Sequence, residues 1–135
     1  MGTLNIVGIA GLYAALGWVL ETTVDVLCKK EKENRNRLLD ILHNYWFIKV
    51  VGNYPENKYV GIVSCLIDGM SSDSAGTIFD KAGVAVRTGL QCAPLAHEFM
   101  QTYPAGTIRF STSYFTTEED YQALINVLDY IEENL

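Results

Sequence analysis

Apolar positions are continuous and uncharged over residues 4 to 20 (LNIVGIAGLYAALGWVL), and only beyond them does the chain begin to alternate. The stretch is short for a bilayer and contains Asn5 and three glycines, and it lacks the basic flank of a signal peptide. Small residues at Gly8, Gly11, Ala15 and Gly17 allow another element to approach closely, so residues 1–20 read as an apolar helix that packs against protein. Residues 21–135 read as the body of the domain. Between Glu21 and Tyr45 apolar residues recur at helical spacing (Val24, Leu27, Leu38, Leu39, Leu42), interrupted by KKEKENRNR, which predicts a long amphipathic helix with the charge run on its exposed side.

The pattern then shortens. WFIKVVG (46–52) and YVGIVSCLID (59–68) are rich in β-branched and aromatic residues and predict two strands joined by a turn containing NYPEN. SSDSAGTIFDKAG (71–83) predicts a helix stopped at Gly83, followed at once by a strand over VAVR (84–87). LAHEFMQTY reads as a short helix, GTIRFSTSY (106–114) as a strand, and TTEEDYQALINVLDYIEENL as a final amphipathic helix. Thr117 and Asp120 form the cap of that helix, and three acids in its first turn complement its dipole. The predicted class is α+β: a small, mostly antiparallel sheet covered by helices.

Composition narrows the function classes. A chain of 135 residues, 49% hydrophobic and 19% charged, fits one stable domain. The net charge of -6 and the dispersed arginines Arg35, Arg37, Arg87 and Arg109 offer no basic stripe for nucleic acid. Three widely spaced cysteines (Cys28, Cys65, Cys92) argue against a disulfide framework and for a reducing compartment, so a cytoplasmic location is expected, with no membrane partner.

Candidate chemistry gathers in RTGLQCAP (87–94). Cys92 falls in a connection between a Gly-Leu-Gln turn and an Ala-Pro pair, where a thiol is accessible and can act as a nucleophile; an inert loop thiol is the plainer alternative. Cys65, within an apolar strand, and Cys28, near the end of an apolar helical stretch, are expected to be buried. Arg109 interrupts the uncharged strand GTIRFS, and a buried guanidinium requires an anion. Arg87 ends its own strand and serves either the same anion or an acid such as Asp80. His97 reads as a packing residue, with orientation of the cysteine loop as the alternative. No metal site is expected, because Cys92 and His97 are the only candidate ligands lying close together and a structural zinc needs about four.

GVAVRTGLQCAPLAH and GTIRFSTSYFTTEEDY together resemble the C-terminal region of class V aminotransferases of the cysteine desulfurase group, and GTLNIVGIAGL (2–12) is similar to the family's Gly-Thr-Pro-Asn segment with Leu4 in place of proline. Thr116 stands where the family has asparagine. The resemblance implies the small C-terminal domain of a fold type I enzyme dependent on pyridoxal phosphate. It assigns Cys92 as sulfur acceptor, Arg109 and Arg87 to the substrate carboxylate, and Gly2 and Thr3 to the cofactor phosphate of the opposite subunit. It also implies a homodimeric parent, an amino-acid substrate such as L-cysteine and an acceptor protein for the sulfur. The family's Schiff-base lysine lies before the Gly-Thr-Pro-Asn segment, and none of the six lysines here stands in such a context. The expectation is a fragment that lacks the large domain, binds no cofactor and is inactive alone. An aminotransferase or lyase of the same fold with Cys92 a bystander, and a free-standing module that binds a partner through residues 4–20, are the alternatives.

Overall fold

The computed structural model describes residues 2–55 and 58–135. Asn5 starts the first helix, its Oδ1 accepting from the Gly8 amide at 3.0 Å, and α1 (Ile6–Thr22) continues from there. The next helix, α2 (Val24–His43), leaves α1 at 82°. The break falls on Thr23 (φ 68°), whose hydroxyl caps α2, so the amphipathic helix begins after this bend and not at Glu21. No single described helix is long and apolar enough to cross a membrane.

Four strands follow, interleaved with helices: β1 (Ile48–Val51), β2 (Ile62–Ile67), α3 (Ser72–Lys81), β3 (Arg87–Gly89), α4 (Pro94–Phe99), β4 (Thr107–Ser111) and α5 (Glu118–Asn134). The sheet order is β1-β2-β4-β3, with every pairing antiparallel. This is the α+β class expected from the pattern. Part of the β1–β2 connection, at Glu56 and Asn57, lies outside the described residues.

Strand alternation divides the sheet into two unlike faces. One contributes Val63, Cys65, Ile67, Ile108 and Phe110 to the core, where they meet Leu38, Leu39 and Leu42 of α2, Ala75 and Phe79 of α3, and Tyr121, Leu124, Leu128 and Ile131 of α5. The other face carries a row of four residues in register across the strands, Val51, Ser64, Arg109 and Arg87.

Two local expectations are corrected. The VAVR strand forms three residues late: the Val84 amide donates to the Phe79 carbonyl at 2.9 Å, which commits it to closing α3, and pairing starts only at Arg87. The charge run on α2 is not wholly solvated either. Asn34 and Arg35 are buried; Asn34 Nδ2 donates to the Ser113 carbonyl, while the Arg35 guanidinium lies 4.2 Å over the Tyr59 ring and donates to Asn53.

Helix α1 has no buried residue; Leu4, Ile6, Val7, Ile9, Leu12, Tyr13, Leu16 and Leu20 are all exposed. Trp18 is its aromatic tie to the body, stacked on Phe115 and edge-on to Tyr114. An uncovered apolar helix of this size drives association. The chain alone is therefore expected to self-associate in light scattering, and an Ile9→Lys, Tyr13→Lys variant is expected to return it to monomer. A native chain that stays monomeric at high concentration with α1 ordered would contradict this.

Candidate functional site

The open face of the sheet holds two guanidiniums side by side. Arg87 and Arg109 are cross-strand partners, so their side chains project from the same face at the closest spacing a sheet permits. Like charges in that relation repel. Among the described residues neither makes an ion pair, and the proposed alternative of Arg87 with Asp80 does not form. The Nε of Arg109 is buried and has no hydrogen-bond partner, an expensive arrangement for a charged group. An anion placed between the two guanidiniums would remove both costs, and a carboxylate matches the paired N–H geometry.

Strand β3 is fixed from behind. Gly76 of α3 lets Thr88 come close, and the Thr88 hydroxyl donates to Asp73 at 3.2 Å. Beyond Gly89 the chain turns: Gln91 (φ 44°) and Cys92 (φ 61°) are both left-handed without being glycine, and the Ala93 amide closes the turn onto the Leu90 carbonyl at 2.8 Å. Pro94 then opens α4, as its fixed φ favours. Cys92 is exposed, as the loop reading required. His97 is buried with both ring nitrogens occupied, Nδ1 by Thr102 and Nε2 by Gln91, so its neighbours hold it within the cysteine loop's own support. Reading it as packing alone misses these bonds, because Gln91 and Thr102 converge on the ring only after folding. Among the described residues no three of His, Cys, Asp and Glu converge on a metal position. Gly2 and Thr3 are exposed in the segment before α1.

The other two thiols differ from one another. Cys65 is fully buried, and burial pushes its thiol up to about 12. Cys28 is exposed, contrary to expectation, because the buried positions of α2 begin only at Asn34 and the first half of that helix buries no side chain. Iodoacetamide followed by peptide mapping should therefore find Cys92 and Cys28 labelled at comparable rates, with Cys65 slower by about a hundredfold or more, since the thiolate is the reacting species. Early labelling of Cys65 in the folded chain would overturn the assignment of its strand to the core.

A profile of the family described as aminotransferase class-V matches residues 1–124. The chain belongs to this family. Among its relatives, a protein described as a probable cysteine desulfurase from Xylella fastidiosa (strain Temecula1) is 34% identical over 128 residues, covering 94% of this chain and 30% of the relative. A probable cysteine desulfurase from Aeropyrum pernix is 30% identical over 133 residues, covering 96% of this chain and 32% of the relative. A solved structure shares the fold: the apo cysteine desulfurase of Thermococcus onnurineus NA1 superimposes with a TM-score of 0.85 at 23% identity, over 99% of this chain and 33% of that one. The chain thus spans about a third of the length of the class V proteins it matches.

Proposed function

We propose that this chain is the small C-terminal domain of a pyridoxal-phosphate-dependent cysteine desulfurase, supplying the sulfur-accepting Cys92 and a carboxylate clamp made of Arg109 and Arg87. The observation that carries this reading is the uncompensated pair of guanidiniums in register on the open face, one with an orphaned Nε, two strand residues and a short turn away from an exposed cysteine. Such a pair favours an anionic ligand, and an amino-acid carboxylate satisfies both arginines at once.

The cofactor would provide the electron sink that weakens the substrate's carbon–sulfur bond. None of the six lysines stands in the sequence context in which the family holds its cofactor, so the covalent anchor is assigned to the large domain. Gly2 and Thr3, both exposed in this chain, are the residues offered to the cofactor phosphate of the other subunit in a homodimer. The uncovered apolar surface of α1 fits a large domain that completes the enzyme, with residues 1–20 joining that domain and residues 21–135 forming the small one. The domain alone is accordingly inactive and holds no cofactor.

Within the complete site, Arg109 and Arg87 hold the carboxylate and so fix the orientation of the substrate's side chain. Cys92, on a loop, reaches the sulfur. Enzyme thiol and cysteine become persulfide and alanine: the S–S bond forms as the Cβ–S bond breaks, and the electron pair of that bond, with one proton, finishes on Cβ. The persulfide sulfur then passes to an acceptor protein. Three free cysteines fit a reducing, cytoplasmic setting for this chemistry.

The test is to measure alanine and sulfide formed from L-cysteine by the full-length enzyme containing this domain, beside its Cys92→Ala variant. Turnover in the native enzyme and none in the variant supports the reading. Transamination without sulfide release, or a variant as active as the native enzyme, removes Cys92 from the chemistry.

A further inference from the structure

Backbone preference does not keep Cys92 where it is. Two consecutive non-glycine residues in left-handed conformation are strained, so the turn persists only if its surroundings impose it. Cys92 makes none of the hydrogen bonds that do so. They converge instead on the preceding side chain, Gln91.

The polarity of these bonds can be assigned. Gln91 Nε2 lies 3.2 Å from the Thr107 carbonyl, which only accepts, so this end of the carboxamide is the donor. Its Oε1 consequently faces two donors, the Thr107 hydroxyl at 3.3 Å and His97 Nε2 at 3.3 Å. A neutral His97 with its proton on Nε2 leaves Nδ1 as an acceptor, and the Thr102 hydroxyl stands 2.7 Å from it. The same hydroxyl's contact with the His97 carbonyl is longer, 3.4 Å, and does not compete. Every polar atom of the buried ring is thereby satisfied, and the chain of bonds runs in one direction from Thr102 through His97 to Gln91.

We propose that His97 is the positioning residue of the Cys92 loop: its Nε2–H, oriented by Thr102, clamps the Gln91 carboxamide onto Thr107 and so imposes the left-handed Gln91–Cys92 turn. Its anchoring point matters. Thr107 lies two residues before Arg109 on the same strand and face, and Ser64, which is in register with Arg109, lines the same recess as His97, Gln91 and Thr107. The clamp therefore references the cysteine loop to the strand that carries the carboxylate-binding arginine. Its importance for turnover rests on the reading of Cys92 as sulfur acceptor; its hold on the loop does not.

Two substitutions separate a directed donor from mere filling of space. His97→Gln retains an N–H near the Nε2 position, whereas His97→Asn retains only the shorter reach towards Thr102. Hydrogen–deuterium exchange on this chain should quicken about tenfold at residues 90–93 in His97→Asn and stay within about threefold of native in His97→Gln. Both variants lose one bond and some packing, so both should lower Tm similarly. Equal exchange in the two variants, or no change in either, overturns the proposal. If His97→Asn does not fold, Gln91→Met removes the same carboxamide link while leaving the buried ring in place, and must produce the same quickening. In the full-length enzyme the Asn variant should lower kcat about tenfold with KM nearly unchanged, since a misplaced nucleophile affects the chemical step and not substrate binding. A raised KM with kcat intact would refute the role in turnover. An active Cys92→Ala enzyme would instead refute the sulfur-acceptor reading and leave the exchange result standing.

Discussion

Arg109→Met is expected to lower kcat/KM of the full-length enzyme by about a thousandfold while making the isolated domain more stable. The two effects have one origin. In the proposed role the substrate-bound Arg109 guanidinium is half of a desolvated charge pair, and truncating one partner of such a pair costs about 2–5 kcal/mol, or about 4 for a thousandfold loss. Without substrate, the same group is a partly buried cation with an orphaned Nε, facing the like charge of Arg87 across the strands. Replacing it by an apolar chain of similar length removes a repulsion and an unsatisfied donor, for a gain of about 1 kcal/mol. Urea titration of the isolated domain and steady-state kinetics of the enzyme measure the two sides. Lower stability in the variant would mean that Arg109 is a structural residue, and unchanged kcat/KM would move the carboxylate elsewhere. Arg109→Lys keeps the charge but not the two-pronged N–H geometry, and belongs between native and Met in kcat/KM.

The largest loss of stability is expected from Gly106→Ala, by about 4 kcal/mol, combining left-handed strain with overpacking. Gly106 has φ +72° and precedes β4 directly, and a Cβ there would overlap the carbonyl group of Gly89 at the end of β3. Backbone cannot give way as a flexible side chain does. Gly83 is the internal control: its φ is +76°, but nothing lies within 4 Å of an added Cβ, so Gly83→Ala is expected to cost only about 1 kcal/mol of conformational strain. Denaturant midpoints of the two variants separate the terms. Similar losses at both sites would show that the β3–β4 approach at Gly89 is loose. Because Gly89 leads into the Cys92 loop, the Gly106 variant should also release the thiol's surroundings, seen as faster exchange over residues 90–93.

Sequence pattern served best where one element's own residues decide the outcome. The final helix is an example: Thr117 and Asp120 form a reciprocal capping box, and Tyr121, Leu124, Val127, Leu128 and Ile131 bury the stripe their spacing predicts. Gly83 stops α3 with the positive φ that glycine permits. Failures occur where a distant group decides. Val84 and Val86 have strand composition, but the Val84 amide is taken by α3, and β3 begins where β4 can meet it. Arg35 looked solvated within a charge run until Tyr59 and Asn53 arrived from the next hairpin. Cys28 reads as buried from its neighbours in sequence, yet its half of α2 buries no side chain. The candidate site divides in the same way. Cys92, Arg87 and Arg109 are visible as unusual residues in their local setting, whereas the Arg87–Arg109 register and the Thr102–His97–Gln91–Thr107 bonds are products of tertiary closure.

Strand order has a consequence for how the chain is made. Among the described residues β3 is an edge strand paired with β4 alone, and both β4 and α5, which supplies five of the core's buried side chains, come after it in sequence. A chain growing from its N-terminus thus makes Cys92 before Thr107, Arg109 and α5. Until those last residues emerge, the thiol has no turn, no clamp and no neighbouring guanidinium. During synthesis it is an ordinary flexible cysteine, and it acquires its special setting only when β4 and α5 dock.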